Sequence, residues 1–154
     1  MNETEQQATI FGVIFALANR LQILGDKLDG NITIKQWLLL AAIFKNPSPS
    51  PSLSEVGDMI GNSRQNVKKM AMILEKQGFV TLIKDVSDAR MVRISLTPKC
   101  IAYFAKRVDK ESQFMEKLYN GFEGDLTNGL YNGLIKLFDN IIVMEGEYET
   151  KERS

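Results

Sequence analysis

Residues 52–97 read SLSEVGDMIGNSRQNVKKMAMILEKQGFVTLIKDVSDARMVRISLT, and the punctuation of this stretch decides the fold. Ser52-Leu-Ser-Glu55 is a capping box, in which the Ser52 hydroxyl and the Glu55 carboxylate satisfy exposed backbone donors. A short helix opens there and runs through Ile60 until Gly61 stops it. Asn62 or Ser63 caps a second helix, Arg64 to Gln77, which Gly78 ends. On that helix Val67, Met70, Ala71 and Leu74 share one face, with Gln65, Lys69, Met72 and Lys76 opposite. Two helices joined by a short glycine-containing turn, the second apolar inside and basic outside, form a helix-turn-helix. Phe79 to Lys84 then predicts a strand, Asp85-Val-Ser-Asp88 a turn, and Met91 to Leu96 a returning strand with Val92, Ile94 and Leu96 on one face. A hairpin in this place is a candidate wing.

Working outward, Ile10, Val13, Ile14, Leu17, Ala18, Leu21 and Leu24 follow helical spacing and predict one long helix from Glu5 to Leu28. After the Asp29-Gly-Asn31 turn, Thr33-Ile-Lys-Gln36 is another capping box, opening a helix from Ile34 to about Lys45. The prolines of Asn46-Pro-Ser-Pro-Ser-Pro51 forbid its continuation and impose an extended loop. Downstream, Thr97-Pro98 starts a helix expected to reach about Tyr119, and Gly121 to Asp125 breaks it. A last helix, Leu126 to about Gly146, carries Leu130, Leu134, Leu137, Phe138, Ile141 and Ile142 on its inward face, and residues 147–154 read as a frayed polar tail. An amphipathic helix of this length at each end needs more partner surface than a small winged domain offers, and mutual burial in a homodimer supplies it. Gly129 and Gly133 would let another helix approach that face closely. The expectation is a mostly α protein, a winged helix-turn-helix with long N- and C-terminal dimerisation helices and a two-stranded wing. It forms a single domain over residues 1–154, with the DNA-binding type of element at 33–98 and dimerisation helices at 1–30 and 99–146.

The composition bounds the chemistry. A chain of 154 residues, 44% hydrophobic and 25% charged, fits one soluble globular domain. Its single cysteine, Cys100, excludes an intrachain disulfide and suits a reducing cytoplasm. No run of 18 apolar residues is present, and the polar start MNETEQQ is unlike a signal peptide, so neither a membrane nor an export role is expected. Histidine is absent, which removes the commonest general base and the usual imidazole metal ligand. With one cysteine besides, no zinc site of the nitrogen and sulfur kind can assemble, and no glycine-rich phosphate loop is present. No catalytic residue, metal or cofactor is expected. An enzyme would need two carboxylates converging in a cleft, and no spacing points to such a pair.

The net charge of zero conceals an uneven distribution. From Gly61 to Arg107 ten basic residues stand against three acidic ones, a net +7, which leaves −7 for the rest. A basic middle flanked by acidic ends reads as a polyanion-facing element whose remaining surface repels the same polyanion. The competing reading is a solvated charged face.

Asp88-Ala-Arg-Met-Val-Arg-Ile-Ser-Leu-Thr97 resembles the wing signature of MarR-type transcriptional regulators, with an Asp, a wing Arg two residues on, and a Leu-Thr leading into a helix. Thr33-x-x-Gln36-Trp37 and Leu74-Glu-Lys-Gln-Gly-Phe-Val80 support the match, and the order of elements is similar across nearly the whole chain. The resemblance implies a two-fold dimer made by the first and last helices, a recognition helix in the major groove and a wing Arg in the minor groove. It also implies a small hydrophobic effector that enters between the dimer helices and the winged domain. Two departures stand out: Leu82 and Ile83 where many relatives carry a basic residue, and Pro98-Lys99-Cys100 where they carry a glycine. Leu82 and Ile83 either weaken phosphate binding or pack on something else.

The candidate DNA-binding residues are Ser63, Arg64, Gln65, Asn66, Lys68 and Lys69 at the start of the second helix, and Asp88, Arg90 and Arg93 on the wing. Gln and Asn can pair bidentately with adenine and Arg with guanine, while Lys supplies phosphate contacts that fix register. Asp88 would tether the wing and Arg90 would enter a narrow, negative minor groove, against the alternative of a surface ion pair. Arg93 would touch a phosphate or an acidic neighbour. Met72 fits a groove edge or internal packing. Cys100, at a helix start beside Lys99, fits a small packing residue better than a redox switch. The functional expectation is a sequence-specific transcriptional regulator, a ligand-responsive repressor acting as a homodimer on a pseudo-palindromic operator of double-stranded DNA. The alternative is a winged-helix module that docks a protein and uses no DNA.

Overall fold

Five helices begin on side chains that accept the first free backbone N–H groups, which is why the capping signals read at Thr33, Ser52 and Ser63 lie so close to the helix starts. In the computed structural model, which describes residues 1–153, Asn2 caps α1 (Glu3–Asp26), Thr33 caps α2 (Ile34–Lys45), Ser52 caps α3 (Leu53–Ile60) and Ser63 caps α4 (Arg64–Lys76). The boxes at Thr33–Gln36 and Ser52–Glu55 are both closed reciprocally. Gly61, at φ 70°, ends α3 in the left-handed region that favours glycine. Antiparallel strands β1 (Val80–Lys84) and β2 (Val92–Leu96) follow, in register from Val80 opposite Leu96 to Lys84 opposite Val92. Thr97 caps α5 (Pro98–Ala105), and α6 (Val108–Leu118) and α7 (Gly124–Arg153) complete the chain.

The chain divides into two compact units at Lys106 and Arg107. In the first, α2, α3, α4, β2 and α5 meet around one core, in which Leu39, Leu40, Leu53, Val56, Val67, Leu74, Ile94 and Cys100 are wholly buried. Each large side chain of this set contributes about 1.5–3 kcal/mol. Gly25 lets α1 close against α2, because a Cβ there would stand 2.8 Å from the Ile34 side chain. The Asp26 carboxylate accepts the Ile34 N–H across the same junction at 2.8 Å.

The proline-rich loop has a structural role that its composition did not reveal. The Pro51 carbonyl accepts the Ile94 N–H at 2.9 Å, and Ser52 bridges Arg93, so the end of the loop lies along the free edge of β2. Proline has no N–H but serves as an acceptor there.

Several sequence expectations need correction. The helix α1 runs Glu3–Asp26 in place of Glu5 to Leu28, because Asn2 and Glu5 form a capping box that starts the helix two residues before the expected Glu5. It is also long and apolar enough to cross a membrane by length and composition alone, although its apolar residues form no unbroken run. The single helix expected from Pro98 to Tyr119 is two helices, α5 and α6, broken at Lys106 and Arg107 where no Gly or Pro marks the break. The supposed polar tail is helical through Arg153, since its Glu, Lys and Arg residues are good helix formers and Lys151 and Arg153 complement the dipole at the last turn.

In the second unit, Leu130, Leu134, Leu137, Phe138, Ile141 and Ile142 of α7 are exposed in the single chain, as are Met115 and Leu118 of α6 and Tyr119 just after it. A Cβ at Gly129 or Gly133 would meet nothing within 4 Å in this chain. The first unit leaves a similar apolar surface on α1, where Phe11 is 67% and Phe15 59% exposed.

Candidate nucleic-acid interface

The turn between α3 and α4 is tight enough that its glycines are required. A Cβ at Gly57, in α3, would come within 2.6 Å of the Asn62 carbonyl oxygen, a backbone atom of the turn that cannot rotate aside, and Gly61 takes a φ of 70°. Ser63 then accepts the Asn66 N–H at 3.2 Å and starts α4. Val67, Ala71 and Leu74 hold the helix to the core with no accessible surface, which turns Ser63, Arg64, Gln65, Asn66, Lys68 and Lys69 to solvent together. The partial positive charge of the helix N-terminus lies at the same end. Met72 is exposed beside this group, and Met70 packs on the core.

The wing is held by two aspartates. The Asp85 Oδ2 accepts the N–H groups of Ser87 and Asp88 at 3.1 and 3.0 Å, while Asp88 Oδ1 accepts the Arg90 N–H at 2.9 Å. Two backbone bonds, Asp85 N–H to Met91 and Met91 N–H to Asp88, close the loop. Asp88 therefore orients the wing backbone at Arg90, and the Arg90 side chain stands exposed with no ion pair among the described residues. Arg64 donates from Nη2 to the Arg90 carbonyl at 3.0 Å, joining the start of α4 to the wing.

Arg93 has a different environment. Its Nε lies 2.6 Å from Asp85 Oδ1 and its Nη1 donates to the Ser50 carbonyl at 3.0 Å. Arg93 thus has the acidic neighbour that was one of its two expected partners. The Arg93 hydrogen bond, aided by the backbone N–H groups of Asp88 and Ser87, holds the Asp85 carboxyl below its ordinary value, and Asp85 in turn raises the Arg93 guanidinium.

This arrangement, a helix-turn-helix followed by a two-stranded wing, recurs in solved proteins. A MarR transcriptional regulator from Methanosarcina mazei Go1 superposes with a TM-score of 0.76 at 21% identity, covering 89% of this chain and 99% of that one. The S. aureus MepR–DNA complex gives 0.73 at 15% identity over 84% and 95% of the two chains. Bordetella bronchiseptica BpsR, whose structure concerns regulation of DNA binding by 6-hydroxynicotinic acid, gives 0.72 at 18% identity over 84% and 98%. The chain has the MarR-type winged-helix fold. No family model matches it, and no curated protein does.

Within the MarR-type frame, α3 and α4 form the helix-turn-helix and β1–β2 the wing. The two departures from the usual wing motif separate here. Leu82 packs against the core, whereas Ile83 is 59% exposed. Cys100 is wholly buried in α5, and burial pushes its thiol up to about 11, so the packing role is the one its surroundings support. The residues that sequence reasoning passed over are the ones that brace the site through bonds within the chain: Asp85, the Ser50 carbonyl, and Glu75, whose Oε2 accepts the Leu82 N–H at 2.8 Å and ties the end of α4 to β1. Asp85 alone had a signal, an acid opening a turn.

Proposed function

We propose that this chain is a sequence-specific DNA-binding transcriptional regulator, a repressor that acts as a homodimer on a pseudo-palindromic operator and is released by a small hydrophobic effector. The observation that carries the reading is the joint exposure of Arg64, Gln65, Asn66, Lys68 and Lys69 at the start of α4, with Arg90 on a wing that Arg64 itself holds. Gln65 and Asn66 offer base-reading amides, and Lys68 and Lys69 offer phosphate contacts. Arg90, planar and permanently charged, suits a narrow minor groove. A protein-docking module would call for aromatic anchors on this face, and α4 has none.

The homodimer is supported by the exposed apolar side chains of α1 and α7, a surface that water disfavours and a second copy can cover. The effector is supported by BpsR, a neighbour of the same fold whose DNA binding a small aromatic acid regulates. A ligand that releases DNA must prefer the non-binding geometry. Catalysis has no part in this reading.

Selection of bound duplexes from random double-stranded DNA tests it directly. The expected product is an inverted pair of half-sites with centres about 10–10.5 base pairs apart, the spacing of two recognition helices related by a two-fold axis. Recovery of sequences with no common element would reject sequence-specific binding.

A further inference from the structure

Away from the DNA-facing end, the last turn of α4, the start of β1 and α5 enclose a cleft of about 590 Å³. Lys76, Lys99 and Lys106 line it, no carboxylate does, and Phe79, Ala102 and Tyr103 form its apolar floor. Lys99 is fixed in place, its Nζ donating to the Gln77 carbonyl at 2.6 Å and lying 5.3 Å from the centre of the Phe79 ring. Lys76 and Lys106 make no ion pair among the described residues. Tyr103 directs its hydroxyl to Asp29, outside the lining, and offers the cleft its ring.

Gln77 adds a specific demand. Its Nε2 donates to the Asn31 carbonyl at 3.2 Å, which fixes the orientation of the amide, and its Oε1 is buried with no donor. A buried acceptor left without a partner is costly, and a molecule bearing an N–H or O–H would remove that cost.

We propose that this cleft binds an organic phosphate monoester whose body carries an N–H or O–H donor. Three ammonium groups with no facing carboxylate favour a ligand of charge about −1.5 to −2, which a phosphate monoester carries at neutral pH, over a monoanion. The phosphate lies among Lys76, Lys99 and Lys106, the body covers the apolar floor, and the donor meets Gln77 Oε1. A sugar phosphate and a mononucleotide share this chemistry.

Isothermal titration of the full chain with adenosine 5′-monophosphate, glucose 6-phosphate and inorganic phosphate tests the site without DNA, so failure of the regulator reading leaves the result intact. At least one monoester should bind saturably and more tightly than inorganic phosphate, and the one that does so names the source. The exposed pair Lys76→Gln and Lys106→Gln should weaken that binding by roughly fivefold for each lysine, with the circular dichroism unchanged. Equal or weaker binding of both monoesters relative to inorganic phosphate overturns the proposal. So does a double variant that binds like the parent.

Discussion

The guanidinium of Arg64 donates to the backbone carbonyl of Arg90 at 3.0 Å, so the first residue of α4 also grips the wing. Twenty-six positions apart in sequence, the start of α4 and the end of the wing loop are brought together by this hydrogen bond. Arg64 is thus a positioning residue for Arg90 as well as a candidate DNA contact.

A double-mutant cycle separates these roles. If Arg64 acts by holding the wing, Arg64→Ala should weaken operator binding in the parent but far less in an Arg90→Ala background, giving a coupling of about 0.5–3 kcal/mol. Affinities of the four proteins for one duplex suffice. Losses that add within about 0.3–0.5 kcal/mol would make Arg64 an independent DNA contact.

Asp85 and Arg93 anchor the other side of the wing, and their pairing has a pH signature. Because the folded state holds the Asp85 carboxyl below its ordinary value, its stabilisation is complete above the unfolded carboxylate range. It is lost as pH falls through the lower, folded value. Arg93 is raised and stays charged throughout this window. Asp85→Asn keeps the oxygen that accepts from Ser87 and Asp88 but removes the charge. Thermal midpoints of parent and variant should therefore differ at neutral pH and converge in strong acid. A gap that persists unchanged into acid would assign the effect to geometry in place of charge.

How much of this was legible in the residues follows from the range of each signal. Thr33, Ser52 and Ser63 bond to N–H groups three positions away, so short motifs fixed the starts of α2, α3 and α4. The outward face of α4 followed from Val67, Ala71 and Leu74 alone. Arg93 illustrates the opposite case: its partners are Asp85 and the carbonyl of Ser50, 43 positions away, and nothing local separates such an anchor from a phosphate contact. The break between α5 and α6 was hidden for a related reason, since Lys106-Arg107 contains neither Gly nor Pro. The role of the proline loop depends on the edge of β2, which exists only once the hairpin has folded.

Gly57 sets the approach of α4 to α3. Gly57→Ala places a methyl 2.6 Å from a backbone oxygen that cannot rotate away, so the turn must open. The expected cost is about 1–3 kcal/mol, read from urea unfolding at unchanged slope. A variant as stable as the parent would show that the turn yields freely. Alanine at Gly129, inside α7, where a Cβ meets nothing in the single chain, should stabilise an isolated chain by about 0.5–1 kcal/mol through helix propensity.

Leu134, on the exposed face of α7, tests the dimer. Leu134→Asp would bury an unpaired carboxylate at an apolar interface, a cost of several kcal/mol that a dimer cannot absorb at micromolar concentration. In sedimentation the parent should run as a dimer and the variant as a monomer or an unfolded chain. A parent chain that is monomeric at that concentration ends the dimer reading and the palindrome with it.

Arg90 is the residue on which the DNA assignment depends most. Its backbone is held by Asp88 and Arg64, and its side chain is free to reach outward beyond the helix. Arg90→Ala should leave folding and dimerisation intact, because the bonds that shape the wing at this position are made by backbone atoms. Affinity should fall by about 1–3 kcal/mol for each of the two copies on an operator. A narrow A·T-rich groove concentrates negative potential, so the loss should be largest on operators with A·T-rich flanks. Arg90→Lys should recover only part of it, since an ammonium keeps its water and lacks the planar fork. Titration of labelled operators with A·T-rich and G·C-rich flanks reads all three variants together. If Arg90→Ala binds both as tightly as the parent, Arg90 does not enter the minor groove, and the likeness of the wing to DNA-binding relatives is one of fold alone.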